Sequence, residues 1–406
     1  MNRERRFPLG AAVTLDELDQ RPHAALARLR DAEPVSWLPA LDGWLITRHD
    51  LVLTAMRDAQ TFTVDDPRFS TAQVVGPSML SLDGSEHARH RAPFVGPFRA
   101  GAVVGRFAGP AAEEAERLVA MLAPAGAADL RRAFAGPMSA AIVTHALGLG
   151  RGEVDEVLAA YEAIVASVTR ITAGEGPSAA GAAAYEGLSA RLRAVIESAD
   201  GSSLLASAAA ETSLSAEQIS SNAAVLLFGG IETTEGMIAN AVLHLLEHDP
   251  AWLGWLRGEP ARVDAVTDGP ARMDAVRLDA AIDESLRLEP AAAVIDRYAT
   301  ADTSLGGAEI AAGDLVRLSI AGANRDPAVF ADPDRFDPTR GNLRRHVAFA
   351  QGPHVCVGVH LARLEARAAL TALLGGLPGL RLDPERPAEV RGLVFRKPAT
   401  LYVRWG

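Results

Sequence analysis

Apolar residues recur with a helical period over most of residues 105–290, in alanine-rich stretches with little proline. Ala111 to Leu122, Met138 to Leu147 and Ala182 to Ala199 read as helices, the last after a Gly174 to Ser178 break that carries glycine, proline and serine. The clearest helix begins at Ser215. Ser215-Ala-Glu-Gln218 matches a capping box, in which Ser and Gln side chains satisfy free backbone donors, and no proline follows until Asp249-Pro250. About 33 residues at 1.5 Å each make roughly 50 Å of helix, enough to cross a whole domain. Shorter alternating runs with Gly and Pro punctuation fill 35–65 and 290–340. Trp37 to Thr47 reads as a hairpin turning at Asp42-Gly43, and Leu315 to Ile320 and Leu393 to Val403 read as strands. The expected fold is mainly α with small β-sheets. It forms one unit over 1–406, helix-rich over about 80–290 and β-richer over about 30–65, 290–340 and 390–406.

Composition removes several classes. With 49% hydrophobic and 22% charged residues in 406, the chain is too apolar for disorder. A net charge of −11 argues against nucleic-acid binding, which needs clustered positive charge. The single cysteine, Cys356, cannot form a disulfide framework or a multi-cysteine zinc site, and it fits a reducing compartment. The most apolar run, Ala223 to Ile231, is half the length a membrane span needs, and the basic N-terminus runs quickly into Asp16 and Glu17. The expectation is a cytoplasmic protein without a membrane anchor. Lys397 is the only lysine; the dominance of arginine reads as coding bias and suggests no function.

Three segments break local rules. In Phe349-Ala-Gln-Gly352-Pro-His354-Val-Cys356-Val-Gly358 the cysteine sits in a Gly/Pro loop before a helix, whose amides and dipole favour a thiolate. Gly358 leaves room there for a flat ligand or a close backbone approach. Taken alone, a lone cysteine is more often a buried structural residue. In Leu227-Phe-Gly229-Gly230-Ile-Glu232-Thr233-Thr234, two glycines weaken the long helix at its middle. A Thr hydroxyl can bond back to the i−4 carbonyl and bend it; the plain alternative is close helix packing with a solvated Glu232. In Asp283-Glu284-Ser-Leu-Arg287, Glu284 and Arg287 share a helix face, which by itself is an ordinary ion pair.

Together, in this order and spacing, the three segments resemble the cytochrome P450 family over nearly the whole chain, most closely its soluble bacterial members. The resemblance implies a haem b cofactor with Cys356 as the thiolate metal ligand, in a loop shaped by Phe349, Gly352 and Gly358. It implies His87, Arg91, Arg297 and His354 as donors to the haem propionates. Gly229, Gly230, Glu232 and Thr233 then form the oxygen-activation segment, in which Thr233 and Glu232 pass protons inward. Glu284, Arg287 and Arg340 become a buried structural charge cluster. One position departs from the pattern: Ala350 stands where the family loop usually has glycine, so either φ is ordinary there or the loop is rearranged.

The implied activity is that of a monooxygenase oxidising a medium-sized organic molecule of secondary metabolism. No Gly-x-Gly-x-x-Gly follows a strand, so electrons are expected from a separate ferredoxin or flavodoxin-type donor with its NAD(P)H-dependent reductase. Arg344, Arg345 and Arg363 offer that donor a basic face; the plain alternative is that they are merely solvated. By resemblance the pocket is lined by Val64 to Leu80, residues 160–200, Ala224 to Gly229, Ala291 to Ile295 and Leu393 to Phe395. Met79, Leu80, Phe228, Val294 and Phe395 are the apolar candidates, each equally explicable as core. Four alternatives stay open: a same-family oxidase that couples or desaturates without oxygen insertion, a peroxide-driven enzyme, a non-catalytic haem-binding protein, and a cysteine hydrolase using His354 or His360.

Overall fold

The computed structural model describes residues 3–172, 175–198, 203–210, 213–248, 251–257 and 274–406. Its axis is the helix Ala216–Glu247, 32 residues or about 48 Å at 1.5 Å per residue. The capping box forms at its start: Ser215 Oγ accepts from the Gln218 amide at 3.2 Å, and Gln218 Oε1 accepts from the Ser215 amide at 3.0 Å. Nearly every turn of this helix is buried, because helices cover it on several sides: Gly136–Ala146, Ala179–Ser198, Ala275–Leu288 and Val359–Gly376. The largest apolar cluster gathers around it. The proposed end at Asp249-Pro250 and the residue Gly174 lie outside the described residues.

Helix boundaries move most where proline misleads. The helix expected from Ala111 begins at Ala100 and carries Pro110 inside it. The helix expected at Ala182 begins at Ala179.

The larger sheet has five strands in the order Val35–Leu38, Gly43–Ile46, Leu315–Ser319, Val294–Ala299, Phe62–Thr63. All neighbours are antiparallel except Gly43–Ile46 with Leu315–Ser319. The first hairpin differs from the expected two-residue turn. Pro39–Leu41 forms a short 3-10 turn and Asp42 takes the left-handed conformation at φ 45°, so Gly43 already pairs with Leu38 as a strand residue. A Cβ on Gly43 would lie 3.0 Å from the Leu315 carbonyl, so close strand approach, rather than turn geometry, accounts for this glycine.

The expected strand Leu393 to Val403 is in fact two, Lys397–Pro398 and Tyr402–Arg404, in different sheets. The first pairs with Val390–Arg391 as a hairpin that leans on the central helix. The buried Arg396 side chain bonds Glu289 at 2.7 Å and the Asp19 carbonyl at 2.7 Å, so this hairpin is tied to both the N-terminal region and the end of Ala275–Leu288.

Candidate active site

The cysteine loop is held by its own backbone. The Cys356 amide donates to the Phe349 carbonyl at 2.8 Å, and Gly352–His354 makes one 3-10 turn between them. Gly352 is fixed twice over: φ is 76°, and a Cβ there would come within 2.7 Å of the Met56 carbonyl. Ala350 adopts φ 57°, so the loop keeps its left-handed residue although a side chain is present. Such a conformation costs an alanine about 1–2 kcal/mol. Gly358 has an ordinary φ of −83°, and a Cβ there would sit 3.9 Å from the sulfur. What it contributes is space beside Cys356.

Cys356 is exposed, just before the N-terminus of Val359–Gly376. Surrounding protein desolvates it nonetheless and pushes the thiol up, against the Gly358 amide, Arg91 and Arg363, which favour the thiolate. Coordination to a metal, rather than the protein's own field, is what makes such a thiol a thiolate.

The four propionate candidates come from three elements and gather around the cysteine loop. His87 and Arg91 lie on Gly84–Val95, Arg297 on Val294–Ala299, and His354 in the cysteine loop. The His87 and His354 rings are 4.3 Å apart. Burial, reinforced by His354 and Arg91, pulls His87 down to about 4. Burial likewise lowers Arg297 to about 10, opposed by Asp83 and Asp296. His87 Nε2 and Arg297 Nε are buried and have no hydrogen-bond partner in the protein. Buried donors are rarely left unpaired, so these two fit an anionic group from a ligand. The other two are engaged: an Arg91 Nη donates to the Val355 carbonyl at 2.6 Å, and His354 Nε2 lies 2.7 Å from Asp83. Asp83 was not singled out in the sequence. Burial opposes its ionisation, yet His354, the Thr63 hydroxyl and the Val64 amide together hold its carboxyl below the usual range.

The remaining candidates lie at the middle of the central helix. Val225, Leu226, Phe228, Gly229, Gly230 and Thr233 are partly accessible in an otherwise buried helix. The two glycines differ. A Cβ on Gly230 would be 2.9 Å from Val143, so this glycine permits close helix packing. A Cβ on Gly229 would meet nothing within 4 Å. Helical assignment is continuous through the segment, and the Thr233 hydroxyl donates to the Gly229 carbonyl at 2.6 Å. Glu232 is buried with both carboxylate oxygens occupied: Lys397 Nζ is 2.7 Å from one, and the Tyr161 hydroxyl donates to the other.

An exposed thiol, unpaired buried donors beside its loop and a partly accessible stretch of the central helix fit a flat dianionic group such as haem, held in a recess between them. The "Cytochrome P450" family model matches residues 194–376. Nocardicin C N-oxygenase of Nocardia uniformis subsp. tsuyamanensis is 33% identical over 99% of this chain and 98% of its own. The chain belongs to the cytochrome P450 family.

Mycinamicin IV hydroxylase/epoxidase of Micromonospora griseorubida is 33% identical over 93% of this P450 and 94% of its own length. The crystal structure of CxnD, a P450 for C–S bond formation in chuangxinmycin biosynthesis, superposes with a TM-score of 0.82 at 26% identity, covering 97% of each chain. This P450 is a haem-thiolate monooxygenase, with haem b as cofactor and a small organic molecule as substrate. Like other P450s it takes electrons from a redox partner. No helix among the described residues is long and apolar enough to cross a membrane.

The Glu284 cluster is fully enclosed. Arg287 grips Glu284 with two bonds at 2.7 and 2.8 Å, and Arg340 adds a third at 3.1 Å. Arg287 also donates to the Asn324, Pro333 and Arg335 carbonyls, tying the helix Ala275–Leu288 to the meander before the cysteine loop. Of the three surface arginines, Arg344 and Arg345 are exposed, whereas Arg363 bonds Asp283 at 2.8 Å and stacks 4.9 Å over Phe349.

The pocket candidates divide. Phe228 and Phe395 meet edge to face at 5.4 Å, with Tyr161 6.4 Å from Phe228. Leu80 is partly exposed. Met79 is buried in the main core, its amide bonded to Asn222. Val294 is buried in a separate cluster with Leu26 and Leu45, so its side chain is accounted for by packing.

Proposed function

We propose that the 406 residues act as one catalytic domain that hydroxylates or epoxidises a medium-sized, partly apolar molecule. The observation that supports it is the exposed Cys356 with two unpaired buried donors on the elements around its loop, together with a central helix that is partly accessible at Gly229, Gly230 and Thr233. Haem bound through a thiolate supplies the oxygen chemistry, since sulfur donation favours cleavage of the dioxygen bond.

The chain's own residues do the rest. Cys356 would hold the haem iron through its thiolate, with the Gly358 amide beside its sulfur to temper donation. Arg297 neutralises propionate charge directly and His87 donates a hydrogen bond to it, with Arg91 and His354 beside them. Thr233 presents its hydroxyl oxygen to the recess and holds a water there. Glu232 brings protons to that water from outside. Phe228, Phe395 and Leu80 give the pocket an apolar wall.

Electrons come from an acidic ferredoxin or flavodoxin-type donor with its NAD(P)H-dependent reductase. The exposed Arg344 and Arg345, in the 3-10 turn shortly before the cysteine loop, support this reading; charge complementarity there governs encounter rate and salt dependence.

Turnover under 18O-labelled dioxygen with a surrogate ferredoxin and reductase tests the reaction class. One labelled oxygen in the product is expected. An oxidised product without label would instead identify an oxidase of the coupling or desaturating kind.

A further inference from the structure

Glu232 belongs to a charge ladder that the proton-relay reading does not explain. Lys397, the only lysine of the chain, bridges Glu232 and Glu235, which lie one turn apart on the central helix. Arg131 continues the ladder at 3.1 Å from Glu235 and donates to the Ala399 carbonyl at 2.8 Å. Two acids and two bases thus balance, and the Lys397, Glu232 and Glu235 side chains are each nine-tenths buried or close to it. The second Glu232 oxygen accepts from Tyr161, itself buried on the helix Val154–Thr172.

Both donors sit beside the aromatic pocket candidates Phe228 and Phe395. Lys397 is two residues beyond Phe395, and Phe395 packs on Phe228. Phe228 lies exactly one turn before Glu232 on the same helix face (i, i+4) and also touches Tyr161. Whatever displaces Phe228 or Phe395 therefore pushes on both groups that hold the acid. Thr233 projects about 100° around the helix from Glu232, and its hydroxyl is bonded to Gly229.

Resting on the assignment of Glu232 as the proton-relaying acid, we propose that Lys397 is a positioning residue. Together with Tyr161 it clamps Glu232 away from the Thr233 side while the pocket lacks substrate, and filling the pocket at Phe228 and Phe395 loosens the clamp. Proton delivery is thereby coupled to substrate binding, and reductant is spared when no substrate is present. Lysine suits the role because a compact ammonium on a flexible stem bridges two carboxylates without the fixed fork of arginine.

The test uses haem-loaded enzyme reconstituted with surrogate ferredoxin and reductase, without substrate. Lys397→Met is expected to raise basal reductant consumption several-fold, with peroxide or water as the product. Tyr161→Phe should act in the same direction, and keeps the test open if Lys397→Met does not fold. Lys397→Arg should restore most of the restraint. In the Lys397→Met background, Glu232→Gln should abolish the rise.

Infrared difference spectra give a readout independent of turnover. A carboxylate band, assigned by its loss in Glu232→Gln, should shift when 4-phenylimidazole fills the wild-type pocket. In Lys397→Met it should start at the shifted position. Unchanged basal consumption in haem-replete Lys397→Met and Tyr161→Phe, with no band shift, overturns the proposal. If Thr233→Ala still wastes reductant in that case, only the clamp fails; if it does not, the relay reading itself has failed.

Discussion

The Thr233 hydroxyl donates to the Gly229 carbonyl at 2.6 Å, one turn back along the central helix and beside a glycine whose missing side chain leaves open space. This bond parks the proton of Thr233 and leaves its oxygen free toward the recess. In Thr233→Ala, haem content should be normal and product per reducing equivalent should fall about tenfold, with peroxide rising. The loss is smaller than the 10²–10⁴ typical of a complete acid–base function because water keeps part of the path. Product, peroxide and reductant measured together check it, and unchanged coupling would remove Thr233 from the relay.

Glu284 accepts from two arginines and from the Asp337 amide at 2.7 Å, all shielded from water. Removing one partner of a buried pair leaves an uncompensated charge and costs about 3–5 kcal/mol. Glu284→Ala is expected to yield little haem-replete protein and a matching drop in denaturant midpoint. A variant of normal yield, stability and haem content would deny the cluster its structural role.

Ala350 holds a left-handed conformation that glycine takes freely. Ala350→Gly relieves about 1–2 kcal/mol of strain and adds about 0.5–1 kcal/mol of backbone entropy cost. The net gain of up to about 1.5 kcal/mol should raise Tm by up to about 2 °C in a chain of this size, with no change in the reduced carbon monoxide spectrum. A lower Tm would mean that the Ala350 methyl, packed against the cluster of Val347 and Met56, contributes more than the strain costs.

Glu365 is buried in Val359–Gly376 with one carboxylate oxygen unpartnered, and burial pushes its pKa well above the ordinary 4.5. The folded protein therefore holds a proton that the unfolded chain has released. Its contribution to stability is complete below the unfolded value and is lost as pH rises through the folded one. Glu365→Gln lacks this dependence, so its Tm should gain on the wild type as pH rises above the ordinary glutamate value. Parallel Tm profiles would show that Glu365 is ionised in the fold.

Much of this architecture was legible because its signals are local. The capping box at Ser215, the helix after Cys356 and the i,i+3 pair of Glu284 and Arg287 each follow from spacing alone. The family order of motifs then brought distant cations to the same place. What stayed hidden depends on tertiary contact. Asp83 reads as an ordinary helix N-terminal acid until His354 arrives from 271 residues away. Lys397 was visible as the only lysine, yet nothing in the sequence states that its strand crosses Glu232 and Glu235. Tyr161 lies in one more alanine-rich helix, and its hydroxyl has meaning only against Glu232. Val294 fits the pattern of a pocket residue but faces the core, because strand alternation assigns sides only once the register is known.

The account rests on Cys356 as the thiolate ligand of a bound haem. The most direct test is the absorption spectrum of the purified protein, reduced and exposed to carbon monoxide, beside Cys356→Ala. A strongly red-shifted band in the wild type, lost in the variant, is the predicted result. A band typical of histidine-ligated haem, or the same red-shifted band in both proteins, would contradict it.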